Sequence, residues 1–184
     1  MEFTQINAIT KIVKIDKQSF LKNHEKIINV CLKILASHEK QLSSTELENA
    51  KNYLYSVCSD LFVDGEAYFF VLTRNQKPVS FCIYTAHPQK PNTYIMEMIY
   101  THSQISNCGY GTLCLEHSLS QMKSLGAKQV ILTVNNKNHS SMHMHNKLLD
   151  KQICKGSTIK DEYTTKFYFD LETLNLANDP EATL

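Results

Sequence analysis

The sequence predicts an α/β fold: a single domain over residues 1–171, built on a mixed, mostly antiparallel central sheet flanked by helices, with a polar tail at 172–184. Three observations predict it. Apolar residues recur at helical spacing within the first 64 residues, change to short strand-like runs bounded by turns from residue 66, and then give way to a strand, a Gly-x-Gly turn, a helix and a buried strand. That last arrangement is a crossover and implies one parallel pairing.

Taken in order, Ile9 to Ile15 alternates apolar and polar residues and reads as a short strand. Ile27, Cys31, Ile34 and Leu35 share one helix face, and Leu47, Ala50, Leu54, Cys58 and Leu61 share another. The second helix opens where Thr45 and Glu48 stand in capping-box register. Ala67–Thr73 and Val79–Thr85, joined by the turn Arg74–Pro78, form a hairpin, and a third strand runs from Thr93 to Thr101. After Gly109-Tyr110-Gly111, the residues Leu115, Leu119 and Met122 line a helix that Gly126 stops. Lys128–Val134 holds the continuous apolar core of a strand buried on both faces. Asn138 caps a further helix through Leu149, Thr165–Leu171 closes the sheet, and the tail frays.

Composition excludes several functions. With 19 Lys+Arg against 18 Asp+Glu the net charge is +1, and only one basic residue, Arg74, is an arginine, so nucleic acid is not the expected partner. The longest apolar run, Ala67–Leu72, is far short of the ~20 residues of a membrane span. Six cysteines without CxxC spacing, most of them in apolar runs, read as buried thiols of a reducing compartment, and a cytoplasmic location is expected. The N-terminus lacks the pattern of a secretory signal.

Ser106-Asn107-Cys108-Gly109-Tyr110-Gly111-Thr112 lies between a strand and a helix, where successive backbone amides turn toward an anion. No Lys or Arg stands between Lys90 and Lys123, so a phosphate here would meet amides and the helix dipole before any side-chain charge. Position 114 is Cys, which breaks the GxGxxG pattern, and no GKS or GKT follows. Taken alone, the turn is equally a tight connection.

The order of elements and two motifs add to that reading. Ile99-Tyr100-Thr101-His102-Ser103 ends the strand, Ser106 to Gly111 forms the loop, and Asn138-His139-Ser140-Ser141-Met142-His143-Met144-His145-Asn146-Lys147-Leu148 opens the next helix. Together they resemble the GNAT superfamily of acyl-CoA-dependent N-acyltransferases, whose strand ends in apolar-x-V-x-P, whose loop reads Q/R-x-x-G-x-G/A and whose second motif reads N-x-x-A-x-x-L-Y-x-K-x-G-F. The resemblance implies acetyl-CoA as co-substrate, a primary amine as acceptor, and pairing into a homodimer in the manner of many such folds. It implies cofactor contacts at Ile99, Thr101, Ser106, Asn107, Cys108, Gly109, Tyr110, Gly111, Thr112, Asn138 and Ser141. The thioester would lie where the strand ending at Thr101 splays from Lys128–Val134. Glu97 would accept the proton of the amine, four residues before Thr101 and expected on the same strand face, and His145, at the family's Tyr position, would protonate the leaving thiol. Ser106 for Q/R, Thr101 for Val, Ser141 for Ala, His145 for Tyr and Leu149-Asp150 for Gly-Phe depart from the family pattern. These departures leave a second expectation, a GNAT-shaped acyl-CoA-binding or protein-interaction module with weak turnover.

Plainer readings stand beside these. Glu97 also fits a solvated strand residue. His139, His143 and His145 lack the Glu of a zinc protease and a third ligand at recognisable spacing, so no metal is expected. Cys108 has no assignable His or Asn partner and is not read as a nucleophile. Tyr68, Phe69, Phe70, Phe81 and Tyr84 suit core packing better than ligand stacking.

Overall fold

A computed structural model describes residues 2–6, 10–40, 42–58 and 66–176. Its strands are β1 (Glu2–Gln5), β2 (Thr10–Ile15), β3 (Ala67–Arg74), β4 (Lys77–Ala86), β5 (Thr93–Thr101), β6 (Gln129–Asn135), β7 (Lys155–Lys160) and β8 (Thr164–Asp170). They form one sheet in the order β1-β2-β3-β4-β5-β6-β8-β7. Every pairing is antiparallel except β5 with β6. Helices α1 (Lys17–Ala36) and α2 (Ser44–Ser56) cover one face, and α3 (Tyr110–Ser124) and α4 (His139–Asp150) cover the other.

The two faces bury separate cores. Phe20, Ile34 and Leu35 of α1 and Leu54 of α2 meet Phe69, Phe81, Ile83 and Met98. Leu115, Leu119 and Met122 of α3 and Leu148 of α4 meet Cys82, Tyr84, Val130, Phe167 and Phe169. The aromatic hairpin is therefore core, with Phe69 stacked on Phe81 at 5.8 Å and Phe70 edge-on to Tyr84 at 5.7 Å.

Several boundaries differ from expectation. The capping box of α2 is Ser43 with Glu46, not Thr45 with Glu48: the Glu46 amide donates to Ser43 Oγ at 3.2 Å and the Ser43 amide donates to Glu46 Oε2 at 2.8 Å. Both registers satisfy the spacing, but only this one brackets the cap with apolar Leu42 and Leu47, which join the same core as a hydrophobic staple. Ile9 and Leu61 lie outside the described residues. Strand β7 was not expected: all of Lys155–Lys160 is exposed, so no burial period marks it. The tail begins as packed structure, since Leu174 is buried and Lys123 Nζ donates to the Glu172 and Leu174 carbonyls at 3.2 and 3.0 Å. Residues 177–184 lie outside the described part. Gly126 stops α3 as expected, at φ 90° with the Ala127 amide returning to the Met122 carbonyl at 3.0 Å.

Candidate functional site

The sheet opens at its centre. Strands β5 and β6 are paired only from Thr93↔Gln129 to Ile95↔Ile131, although β5 continues to Thr101 and β6 to Asn135. On their outer edges both remain paired, β5 with β4 as far as Ser80↔Thr101 and β6 with β8 as far as Asn135↔Thr164. Beyond Ile95 and Ile131 two strand edges therefore face one another without a ladder. Their backbone donors and acceptors are available to an extended ligand lying between them.

The chain leaves β5 toward the N-terminus of α3. His102 donates its amide to the Val79 carbonyl at 2.8 Å, Ser103–Ile105 forms a single 3-10 turn, and Asn107 and Gly109 take left-handed conformations at φ 63° and 82°. The Cys108 amide is taken by the Ile105 carbonyl at 3.3 Å, and the Leu113 amide returns to Gly109. The amides of Tyr110, Gly111 and Thr112 form the first turn of α3 and have no intrahelical acceptor, and Gly109 makes no side-chain cap. The two glycines differ in purpose. Gly109 supplies a left-handed cap conformation, whereas a Cβ on Gly111 would stand 3.0 Å from Thr101 Oγ1 and 3.3 Å from Met144 Sδ. Gly111 thus lets α3, the end of β5 and α4 close on one another.

Glu97 lies on the far side of the sheet from that turn. Ile83 pairs with Met98 and Tyr84 with Met96, so Glu97 is the extra residue of a β-bulge. The bulge breaks the alternation of faces: Met96 joins the α3–α4 core and Met98 joins the α1–α2 core. The expectation that Glu97 and Thr101 share a face is corrected accordingly. Thr101 Oγ1 lies with Ser80 Oγ at 3.0 Å against Gly111, while Glu97 turns to α2. There its carboxylate accepts from Tyr53 Oη and, at 2.5 Å, from Thr85 Oγ1. Burial and the adjacent Glu97 carboxylate push the Tyr53 phenol above its usual range, so the hydroxyl stays protonated and donates.

Helix α1 is tied to the same backbone. His38 Nε2 donates to the Thr101 carbonyl at 2.8 Å, the Ser103 amide donates to Ser37 Oγ at 2.9 Å, and Ser103 Oγ donates to the Ser37 carbonyl. A shallow groove between α1 and α2, lined by Asn29, Lys33, Glu48, Lys51 and Tyr55, touches none of these residues and is not the site.

The sequence profile of the acetyltransferase (GNAT) family matches residues 33–150, which include the opened strand, the loop, α3 and α4. The chain belongs to the GNAT acetyltransferase family. No curated protein matches it in sequence. Among solved structures, the PaiA N-acetyltransferase of Thermoplasma acidophilum, in complex with coenzyme A, superposes with TM-score 0.59 at 14% identity over 88% of this chain and 98% of its own. The ribosomal-protein-S18-alanine N-acetyltransferase of Escherichia coli gives 0.56 at 14% over 88% and 92%. RimL, the ribosomal L7/L12 alpha-N-protein acetyltransferase, in complex with coenzyme A, gives 0.63 at 7% over 94% and 99%.

Within this GNAT fold the second motif caps its helix as expected but does not present His145 as expected. Asn138 Oδ1 accepts the Ser141 amide at 3.1 Å and caps α4. His145 is 1% exposed, set against Phe167 and Phe169 at 5.4 and 6.1 Å, and burial lowers its pKa from 6.5 to about 3. Near neutral pH it is an uncharged core imidazole whose Nδ1 is buried without a hydrogen-bond partner. The expectation that it serves as an imidazolium acid is therefore corrected: the α4 face that bears it turns into the apolar core. Ile99 also packs on that core, and the exposed members of the loop are Asn107, Cys108 and Gly109. One residue at the site was not anticipated. Arg74, the last residue of β3, holds its guanidinium over the Tyr110 ring, 5.4 Å from the centroid.

Proposed function

We propose that the protein transfers an acetyl, or another short acyl, group from acetyl-CoA to a primary amine by direct attack within a ternary complex. The observation that supports this most is the unpaired stretch of β5 and β6 beside the open first turn of α3. These features fit CoA: strand edges suit the amide-bearing pantetheine arm, and the amides of Tyr110, Gly111 and Thr112 suit a pyrophosphate. Asn107, Cys108 and Gly109 border the phosphates, Ser106 and Thr101 flank them, and Ile99 lines the arm. The thioester supplies the activated acyl group.

A free amine of pKa ~10 is almost wholly protonated at pH 7 and needs a proton acceptor before it can attack. Glu97 takes that role on the α1–α2 face, held by Tyr53 and Thr85. A backbone N–H of the β5 edge steadies the carbonyl oxygen as charge develops. His145 takes no part as a cation. The same reading places the protein in the cytoplasm, where its free cysteines stay reduced.

The buried His145 favours one second reading, a module that binds acyl-CoA with little turnover. Free-thiol release from acetyl-CoA, measured with small primary amines and with peptides bearing a free α-amino group, separates the two. The expected result is amine-dependent release that falls about 100-fold in Glu97→Gln while CoA affinity is kept. Calorimetric CoA binding without release for any amine would establish the binding module. Absence of CoA binding would overturn both.

A further inference from the structure

We propose that Arg74 is the cation that receives a phosphate of CoA, delivered from the β3–β4 hairpin to the loop whose Q/R position holds Ser106. The inference rests on the CoA reading above and adds to it a residue from outside the loop.

Asn75 and Gln76 have φ 48° and 64°, the two positive angles of a tight two-residue hairpin, and Arg74 pairs with Lys77 across it. That hairpin end stands beside the end of β5, since Ser80 pairs with Thr101 and Val79 accepts the His102 amide. The chain from His102 to Gly109 therefore leads from the side of this hairpin to the start of α3. The result is the 5.4 Å contact between the guanidinium and the ring of Tyr110, the first residue of the helix.

Two further features point outward. Arg74 is exposed, and among the described residues it makes no ion pair, so its five N–H donors have no carboxylate to satisfy them. The loop and the first turn of α3 hold no Lys or Arg of their own, from residue 91 to 122. An anion on the amides of Tyr110, Gly111 and Thr112 would have a single arginine beside it, fixed by an aromatic ring and able to bind bidentately. CoA offers two such anions, the pyrophosphate and the 3′-phosphate. Their shared chemistry is what the geometry recognises.

The test is calorimetric affinity for CoA and for dephospho-CoA, across a range of salt, in the wild type, Arg74→Gln and Arg74→Lys. Lys166→Gln is the control, because Lys166 makes a similar ring contact with Tyr168, at 5.9 Å, on β8. Arg74→Gln is expected to weaken CoA by about tenfold or more at low salt, with an unchanged melting temperature and a gap that closes as salt rises. Arg74→Lys should recover part of the loss, and Lys166→Gln should show none. An equal loss with dephospho-CoA assigns the contact to the pyrophosphate, and no loss with it assigns the 3′-phosphate. An effect of Arg74→Gln under twofold, or a loss indifferent to salt, overturns the proposal while leaving the CoA reading intact. A wild type that binds no CoA refutes that reading and the role of Arg74 with it.

Discussion

Replacing His145 by Leu removes a buried base and should reshape the dependence of stability on pH. In the folded chain burial holds the imidazole pKa at about 3, against 6.5 for the ordinary group. The unfolded chain therefore binds the extra proton between these values. Native stability is fully present above pH 6.5 and is lost as pH falls toward 3. At 1.36 kcal/mol per pH unit of offset, this one residue costs about 2 kcal/mol at pH 5 and about 3 kcal/mol at pH 4 relative to neutrality. The exposed His139 and His143 are common to both proteins and cancel in the difference. Urea denaturation at pH 7.5, 6 and 5 measures the effect. The wild type should lose about 2 kcal/mol more than His145→Leu between the first and last of these. A difference that stays constant across the series would refute the burial of a neutral imidazole against Phe167 and Phe169.

Two other outcomes follow from the site. Gly111→Val forces a side chain into the 3.0 Å approach to Thr101 Oγ1 and the 3.3 Å approach to Met144 Sδ. It should cost ~1–3 kcal/mol of stability and weaken CoA together, read by melting temperature and calorimetry. Cys108 is exposed whereas the other five cysteines are buried. Iodoacetamide should label it first, and saturating CoA should slow that labelling alone, as peptide mapping would show.

The parts of the fold visible in the sequence are those where burial imposes a period. Ala67–Thr101 is rich in apolar and aromatic residues because both faces of its strands meet a helix layer, and α3 repeats at helical spacing because Leu115, Leu119 and Met122 meet the sheet. The edge strand β7 buries nothing and left no pattern to read. The site was legible only where it is local in sequence. Gly109 and its loop could be recognised because a turn before a helix has its own residue chemistry. The phase of Glu97 could not, because one inserted residue reverses the faces of everything after it and no side chain announces the bulge. His145 was legible as a position but not as an environment, since Phe167 and Phe169 reach it only through the closing strand. Arg74 stands far from Tyr110 along the chain, and only the hairpin register brings them together.

The unpaired stretch between β5 and β6 also lies between the two helix layers of the molecule. On one side stand α3 and its open first turn, and on the other stand α2, Tyr53 and the carboxylate of Glu97. For the proposed reaction, the acyl donor and the amine arrive from opposite faces and meet through the plane of the sheet. Neither needs to leave before the other enters, and each product retains its own exit. The sheet then acts as a partition with a slot in it, keeping the two reactants in separate solvent compartments until the slot brings them within bonding distance.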